Sequence, residues 1–248
     1  MTEKSTSDTP IEIKDLHKSF GQQVVLNGIS LTVGQGETVA LLGRSGTGKS
    51  VLLKLLIGLQ QPDSGTIQIH GRKIIGLSVE DLNEVRKKVG FLFQQAALYD
   101  SLTIEGNVAF PLARHTKMSR QQRAEKARDL LKSVGMDGHF DKLPSEISGG
   151  MQKRVGLARA LALDPDILLF DEPTAGLDPI TASEIDDLIV NLRKERNMSS
   201  LVVTHDIHGA RTFSDRMILM REGSIVAQGT AQELEKNHDS FVTQFLSN

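Results

Sequence analysis

The sequence predicts an α/β protein: a mixed, mostly parallel sheet with flanking helices, an N-terminal antiparallel β layer and a helical insertion. Three observations support this prediction. Short, nearly all-apolar runs recur along the chain, alternating apolar and polar residues mark its beginning, and a long middle segment has helical spacing with little strand signal. Together they indicate a layered core with helices on both faces of a sheet.

The buried strands are predicted at residues 38–42, 167–170 and 201–203, with a further one at 89–93. The first three runs are almost wholly apolar, which suits strands of a parallel sheet that helices cover on both faces. Alternation around residues 11–13, 29–33 and 66–70 instead indicates half-exposed strands of an antiparallel layer.

Helix signals fill most of the remaining chain. Asp178 and Pro179 stand where an N-cap and a first helical residue belong, and Ser119 and Gln122 have the spacing of a capping box. Strand signals are scarce between residues 98 and 163. We therefore predict a helical subdomain there, between two core segments, 11–97 and 164–248, of one domain that follows a loose polar tail at residues 1–10.

Composition narrows the function classes. The chain has 248 residues, a formal net charge of −2 and no cysteine. A near-neutral balance argues against a nucleic-acid partner, and the lack of cysteine excludes disulfides and thiolate metal sites. No apolar stretch approaches the ~20 residues that span a bilayer, and the polar N-terminus does not resemble a secretory signal. Any membrane role therefore requires a partner.

A phosphate-binding loop follows the first buried strand. The residues that fit G-x-x-x-x-G-K-[S/T] are Gly43, Arg44, Ser45, Gly46, Thr47, Gly48, Lys49 and Ser50, and an apolar helix follows from Val51. Glycines let backbone N–H groups converge on phosphate oxygens, and the helix N-terminus adds partial positive charge. Lys49 is expected to reach the β- and γ-phosphates, and Ser50 to ligate Mg²⁺. The loop and its setting therefore predict a P-loop NTPase core that binds a nucleotide.

Polar residues end two other strands. Asp171, read as an exposed carboxylate, is expected to hold Mg²⁺, and Glu172 is expected to act on the attacking water; the alternative is two solvated acids. His205 follows a strand that we place beside the Asp171 strand, from which it could reach the γ-phosphate. A surface or structural histidine is the alternative.

A second glycine pair suggests another anion cradle. Ser148, Gly149 and Gly150 precede a predicted helix, so a hydroxyl, bare backbone and a helix N-terminus coincide. A plain N-cap with flexible glycines is the alternative. One nucleotide cannot use both cradles if they lie far apart on one chain. Two copies facing head to tail could, with ATP between them.

Three further residues are candidates for the nucleotide site. Gln94 could touch Mg²⁺ or the water, or could only end its strand. Phe20 could stack on adenine, although a core phenylalanine is the commoner outcome. Asp178 is a strong N-cap that could also meet a second subunit.

These motifs resemble, in order and across essentially the whole chain, those of the nucleotide-binding subunits of ABC transporters. The resemblance implies an A-loop aromatic at Phe20, a Walker A loop at 43–50, a Q-loop at Gln94, a signature motif at 147–151, a Walker B strand at 167–172, a D-loop at 175–178 and a switch histidine at 205. The signature departs from the usual pattern at Ile147 and Met151. It keeps Ser148 and Gly150.

Three stretches resemble more narrowly the ATPases of Mla/Mce-type phospholipid transport systems: residues 147–155, 91–100 and 107–112. That resemblance implies a place on the cytoplasmic face of the bacterial inner membrane. It also implies a permease partner contacted through residues 94–112, an Mce-type substrate-binding protein and a small STAS-domain subunit.

Three alternative functions remain open. An ABC importer of small polar solutes shares every motif. A soluble ABC protein acting in repair, translation or division usually carries two cassettes, coiled coils or a basic tail, none of which is evident. A P-loop kinase gives no account of residues 148–150.

Overall fold

A computed structural model describes residues 9–247, so the first eight residues of the tail predicted at 1–10 lie outside that range. In chain order the strands are β1 (Ile11–Phe20), β2 (Gln23–Val33), β3 (Thr38–Gly43), β4 (Ser64–Ile69), β5 (Arg72–Lys73), β6 (Val89–Leu92), β7 (Ile167–Asp171), β8 (Ser199–Thr204), β9 (Arg216–Arg221) and β10 (Ser224–Gly229). The helices are α1 (Lys49–Leu56), α2 (Val79–Arg86), α3 (Ile104–His115), α4 (Arg120–Ser133), α5 (Gly149–Ala160), α6 (Pro179–Arg196), α7 (Ile207–Phe213), α8 (Ala231–Glu235) and α9 (Ser240–Leu246), with a 3-10 turn at Pro144–Glu146. Within residues 9–247 every helix is too short or too polar to cross a lipid bilayer.

The main sheet has six strands in the order β10-β9-β3-β8-β7-β6. Strands β9, β3, β8, β7 and β6 run parallel, and only β10 pairs antiparallel. β3, β7 and β8 are buried along their whole length, as their apolar runs predicted, because helices cover one face of the sheet and α1 with the antiparallel layer covers the other. The predicted fold class is confirmed.

Strand β6 differs from its prediction. It ends at Leu92 rather than Phe93, and it is half-buried rather than buried. The reason is its place at the edge of the sheet, where β7 is its one neighbour. Gly90 and Leu92 are buried, whereas Val89 and Phe91 stay partly exposed.

The second sheet is antiparallel, in the order β2-β1-β4-β5. Ile11 of β1 pairs with Val33 on one side and Ile69 on the other, so the alternating residues face one way. They pack with α1 and one face of the main sheet in one apolar cluster. Pro10, the last residue of the predicted tail, is buried, and its carbonyl accepts a hydrogen bond from the His70 backbone.

The segment between residues 98 and 163 is helical, as expected, with α3, α4 and α5. The Ser119–Gln122 capping box is formed. Apolar side chains of this segment share one cluster with the other face of the main sheet, for example Leu131 and Leu157 with Phe170. Its division from the core as a subdomain stays a prediction.

This topology brings the carboxyl ends of four parallel strands to one edge. β3 ends at Gly43, β7 at Asp171 and β8 at Thr204, with β6 beyond β7. In open α/β sheets the carboxyl edge is where ligands bind.

Candidate functional site

The phosphate-binding loop joins the buried centre of the sheet to α1. β3 ends at Gly43, and α1 begins after Gly48, whose φ of 96° belongs to the left-handed region. Among the described residues no side chain caps this helix, so its first N–H groups stay available to an anion. The Lys49 ammonium donates to the carbonyls of Gly43 (2.8 Å) and Arg44 (3.0 Å).

Lys49 is buried beside two acids. Its Nζ lies 3.9 Å from Oε1 of Glu172. Burial lowers the pKa of Lys49, while the nearby charges of Glu172 and Asp171 act in the opposite direction. The ammonium is therefore partly desolvated and held within reach of the loop that would carry phosphate.

Asp171 is buried, with 6% of its surface exposed, and this corrects the expectation of an exposed carboxylate. Ser50 donates a hydrogen bond of 2.8 Å to its Oδ1. Burial raises the pKa of Asp171, and the Ser50 bond opposes that rise. The alternative of two solvated acids does not describe the structure, because Asp171 is buried and the Glu172 side chain is only 12% exposed.

These oxygens fit a magnesium site. A hydroxyl and a carboxylate in contact, with the Gln94 side chain nearby, are hard oxygen donors of the kind Mg²⁺ takes alongside phosphates and waters. Mg²⁺ sites need one or two carboxylates rather than a dense acidic cluster, so Asp171 suffices.

Glu172 links Lys49 to His205. Strands β7 and β8 are parallel neighbours, as predicted, so their ends bring Glu172 and His205 together. The imidazole Nδ1 lies 2.9 Å from Glu172 Oε2, to which the His205 backbone N–H also donates (3.2 Å). Glu172 adopts a φ of 50°, and its own N–H donates to Val203 (2.8 Å).

Two adjoining cavities, of about 300 and 700 Å³, collect most of the predicted nucleotide residues. They are lined by Phe20, Gly43, Arg44, Ser45, Gly46, Gly48, Lys49, Ser50, Val51, Gln94, Glu172 and His205, among others. Thr47 lines a third cavity beside Arg44. Phe20 is 47% exposed at the end of β1, so it is not a core residue. Helix α9 forms the far wall of the larger cavity.

Residues 148–150 line neither of those two cavities in the described part of the chain. Gly149 lines a separate cavity of about 350 Å³ with Ala175, Gly176 and Leu177. The Ser148 hydroxyl caps α5 by accepting from the Met151 N–H (3.3 Å), so the N-cap alternative describes part of its role.

Gly150 and Asp178 have structural roles of their own. A Cβ at Gly150 would lie 2.4 Å from the Thr181 methyl, so α5 and α6 touch there. Asp178 caps α6, as predicted, by accepting from the backbones of Ile180 and Thr181 (3.1 Å each). Hydrogen bonds from Thr181 hold the pKa of Asp178 below its usual value.

Lys153 is a site residue that the motifs did not identify. It is 5% exposed, and its ammonium donates to the carbonyls of Gln94 (2.5 Å) and Glu172 (3.0 Å). Burial lowers the pKa of Lys153 to about 8, against the opposing charges of Asp171 and Glu172. One signal was available in the sequence: Lys153 precedes Gly156 and Leu157 at helical spacing, so it lies on the buried face of α5.

Fold and site together define a P-loop nucleotide hydrolase. The profile of the family described as "ABC transporter" matches residues 26–175. The chain belongs to the ABC transporter family, as its ATP-binding, ATP-hydrolysing subunit.

The relatives agree on this assignment. The "Probable ribonucleotide transport ATP-binding protein mkl" of Mycobacterium leprae is 44% identical over 96% of this chain and 68% of its own length. The "Intermembrane phospholipid transport system ATP-binding protein MlaF" of Haemophilus influenzae is 40% identical over 95% and 89%. A solved dimer of the cassette MJ0796, bound to ADP and Pi after hydrolysis, superposes with a TM-score of 0.82 at 35% identity, covering 89% of this chain and 98% of that one. ABC cassettes work as dimers with membrane permease subunits.

Proposed function

We propose that this ATPase powers phospholipid movement between bacterial membranes, as two copies that close around two ATP molecules beneath a permease. One observation supports the paired arrangement above all. The proposed catalytic groups Lys49, Glu172 and His205 line two adjoining cavities that meet at Glu172, whereas Ser148 and Gly149 line neither of them.

Each predicted binding residue has a defined part in this proposal. Phe20 stacks on adenine, the N–H groups of residues 43–51 surround the phosphates, and Lys49 pairs with the β- and γ-phosphates. Ser50, Asp171 and Gln94 would hold Mg²⁺. When bound, that ion offsets phosphate charge as it develops in the transition state.

Hydrolysis rests on the Glu172–His205 pair. One carboxylate oxygen of Glu172 faces Lys49 and the other faces His205, so the side chain is fixed at both ends. Glu172 orients the attacking water and accepts its proton, and the exposed imidazole of His205 is free to reach the γ-phosphate. Fixing the base before substrate arrives avoids reorganisation during the reaction.

The second copy completes the pocket. Its Ser148, Gly149 and Gly150 would present a hydroxyl and the N-terminus of α5 to the γ-phosphate, with its Asp178 loop beside them. ATP then favours the closed pair, and hydrolysis reopens it, so nucleotide state sets the conformational population.

The permease would dock near residues 94–112. A groove of about 420 Å³ opens there, lined by apolar residues of β6 and α3 such as Phe91, Phe110 and Pro111, and also by Arg86 and Arg159. An apolar groove with basic residues in its lining suits an amphipathic helix carrying acidic residues. We place the complex at the cytoplasmic face of the bacterial inner membrane, with Mg²⁺, an Mce-type substrate-binding protein and a small STAS-domain subunit as further components.

Replacing Glu172 with Gln tests the closed pair. The amide keeps the shape of the side chain but cannot accept the proton, so ATP should stay bound and the two copies should stay associated. Mass in solution with ATP and Mg²⁺, at high protein concentration or with the permease, should be that of a dimer. A monomeric mass under all these conditions contradicts the proposal.

The cargo has a second candidate. Similarity to a protein named for ribonucleotide transport favours a small polar solute, whereas similarity to MlaF favours phospholipid. Purification of the chain with its permease, followed by mass spectrometry of the extracted cargo, separates them. Phospholipid enriched over the surrounding membrane supports the first proposal. A soluble cargo, or co-purification with ribosomes or DNA instead of a permease, contradicts it.

A further inference from the structure

Side chains of one helix, α5, donate hydrogen bonds to two loops of the ATPase site, the loop after β6 and the loop after β7. Lys153 donates to the carbonyl of Gln94 after β6 and to that of Glu172 after β7. Six residues further along α5, Arg159 donates to the carbonyls of Ala96 (2.6 Å) and Ala97 (2.7 Å). Four main-chain acceptors of the site therefore depend on two cations of a single helix.

The backbone that these cations hold is in a conformation that residues with a Cβ rarely adopt. Ala96, Ala97 and Glu172 have φ values of 56°, 49° and 50°. Such conformations persist only where the surroundings over-determine them, and they concentrate at functional sites. Lys153 and Arg159 supply part of that constraint.

Helix α5 packs closely against the loop that follows β6. A Cβ at Gly156 would lie 2.8 Å from a Leu92 methyl and 3.1 Å from the Ala96 Cβ. Because α5 rests directly on β6 and the following loop, a shift of the helix must carry the loop with it.

We propose that Lys153 is a positioning residue for ATP hydrolysis, which ties the main chains of Gln94 and Glu172 to α5 so that all three move together. Ser148 caps the N-terminus of α5, so docking of a phosphate on that N-terminus would be transmitted through Lys153 to the base and to the Gln94 loop. This inference rests on the proposed roles of Glu172 and Gln94.

A lysine suits this task for a geometric reason. The two carbonyls belong to different loops, and a flexible four-carbon stem ending in three donors can reach both. Methionine has a similar length and apolar stem but no donor, so Lys153→Met removes the two hydrogen bonds with little change in packing volume. Lys153→Arg restores donors and charge.

The experiment compares the full-length chain with Lys153→Met, Lys153→Arg and a matched control, Lys132→Met, on the exposed face of α4. Since misplacement of a catalytic group by 1 Å costs up to about 100-fold, we expect Lys153→Met to lower kcat at least about tenfold, with KM and the Kd for ATP changed less than about twofold. Lys153→Arg should recover much of kcat, and Lys132→Met should match the parent chain.

Amide hydrogen exchange adds a readout that does not depend on turnover. Peptides covering residues 94–97 and 172 should exchange faster in Lys153→Met than in the parent chain, while α4 stays unchanged. If Lys153→Met folds poorly, hydrogen exchange is compared between Lys153→Arg and the parent chain instead. The same peptides should then exchange faster in Lys153→Arg, by a smaller factor.

Unchanged kcat and unchanged exchange in a folded Lys153→Met chain would overturn the inference. So would equal losses in kcat and ATP affinity that follow a lowered melting temperature, because they indicate a structural role alone. Glu172→Gln separates this result from the proposed function. If it retains parental turnover, the base assignment itself fails; if it is inactive while Lys153→Met is normal, only the positioning role fails.

Discussion

The N-termini of α1 and α5 are both glycine-rich and were both predicted to bind phosphate, yet their surroundings differ. At α1 no side chain caps the helix among the described residues, and Lys49 and Asp171 are buried beside it. At α5 the Ser148 hydroxyl caps the helix, and Gly149 faces outward. The nearest buried cation, Lys153, turns inward to two carbonyls.

The difference teaches what each terminus can do. Under the proposed function, the first terminus supplies a cation, a magnesium-binding pair and a base, so it binds nucleotide and hydrolyses it. The second would supply N–H donors and a hydroxyl to a phosphate that another copy presents. The proposal thus assigns a catalytic half and a docking half to one chain, and substitutions can test the two separately.

The largest effect is expected at the catalytic half, from Lys49→Ala. Loss of the ammonium removes the cation that, among residues 9–247, donates to the loop backbone, so ATPase activity should fall by at least about 100-fold, as for other groups that stabilise charge in a transition state. Steady-state phosphate release is the measurement. Lys132→Ala, on the exposed face of α4, should stay within about threefold. Parental turnover in Lys49→Ala would refute the assigned role.

The docking half should respond to Gly149→Asp. The added side chain has room, since the nearest atom to a Cβ there is a Leu177 methyl at 3.8 Å. A carboxylate favours a helix N-terminus but repels phosphate, so the fold should persist while ATPase activity falls about 100-fold. ATP binding to the isolated chain, measured by calorimetry, should be unchanged.

Mixing the two inactive chains sharpens the comparison. A heterodimer of Lys49→Ala and Gly149→Asp has one doubly damaged site and one intact site, because each site takes its two halves from different chains. If the sites act independently, a random mixture should recover about a quarter of the parental activity. Differently tagged chains, co-expressed and assayed, give the measurement. No activity above the sum of the separate variants would show that both halves serve one nucleotide within one chain.

Local sequence signals predicted the placement of the proposed site residues well. The loop at residues 43–50, Asp171 at the end of β7, His205 directly after β8 and the Asp178 cap all follow from short patterns whose physics is local. Their mutual approach followed from one rule, that the carboxyl ends of parallel strands share an edge.

The features that the sequence did not predict depend on tertiary packing. Asp171 is buried because α1 brings Ser50 against it, and no feature of residues 167–172 reports that contact. Lys153 acts on residues 59 and 19 positions away, which a motif cannot register. The edge position of β6 likewise depends on strand order, which residues 89–93 do not encode.

A smaller effect is expected from Phe20→Ala, which tests the adenine end of the catalytic half. Phe20 is exposed, so its loss should not destabilise the fold. Base–aromatic stacking contributes roughly 1–3 kcal/mol, so the Kd for ATP should rise about tenfold. Phe20→Tyr should restore the affinity, and binding of tripolyphosphate, which has no base, should not change. A change in both ligands would contradict stacking.

The smallest effect concerns Asp186, on the helix that joins the two halves. α6 touches the start of α5 through Thr181, and further along it packs against α7, which follows His205. Asp186 is 5% exposed, and within residues 9–247 no donor reaches its Oδ1. Burial, with the nearby charges of Asp206 and Asp187, raises the pKa of Asp186 to about 7.

The sign of the pH dependence follows from that shift. Between about pH 4 and pH 7 the folded chain binds a proton at Asp186 that the unfolded chain has released, so stability falls as pH rises through this window. Asp186→Asn removes the titration. Because the amide still buries polar atoms, we expect a net stabilisation of roughly 1 kcal/mol at pH 8 and none at pH 4. Urea unfolding at both pH values measures it, with Asp129→Asn, on the exposed face of α4, as control. Equal changes in stability at pH 4 and pH 8 would show that the pKa of Asp186 is not raised in the folded chain.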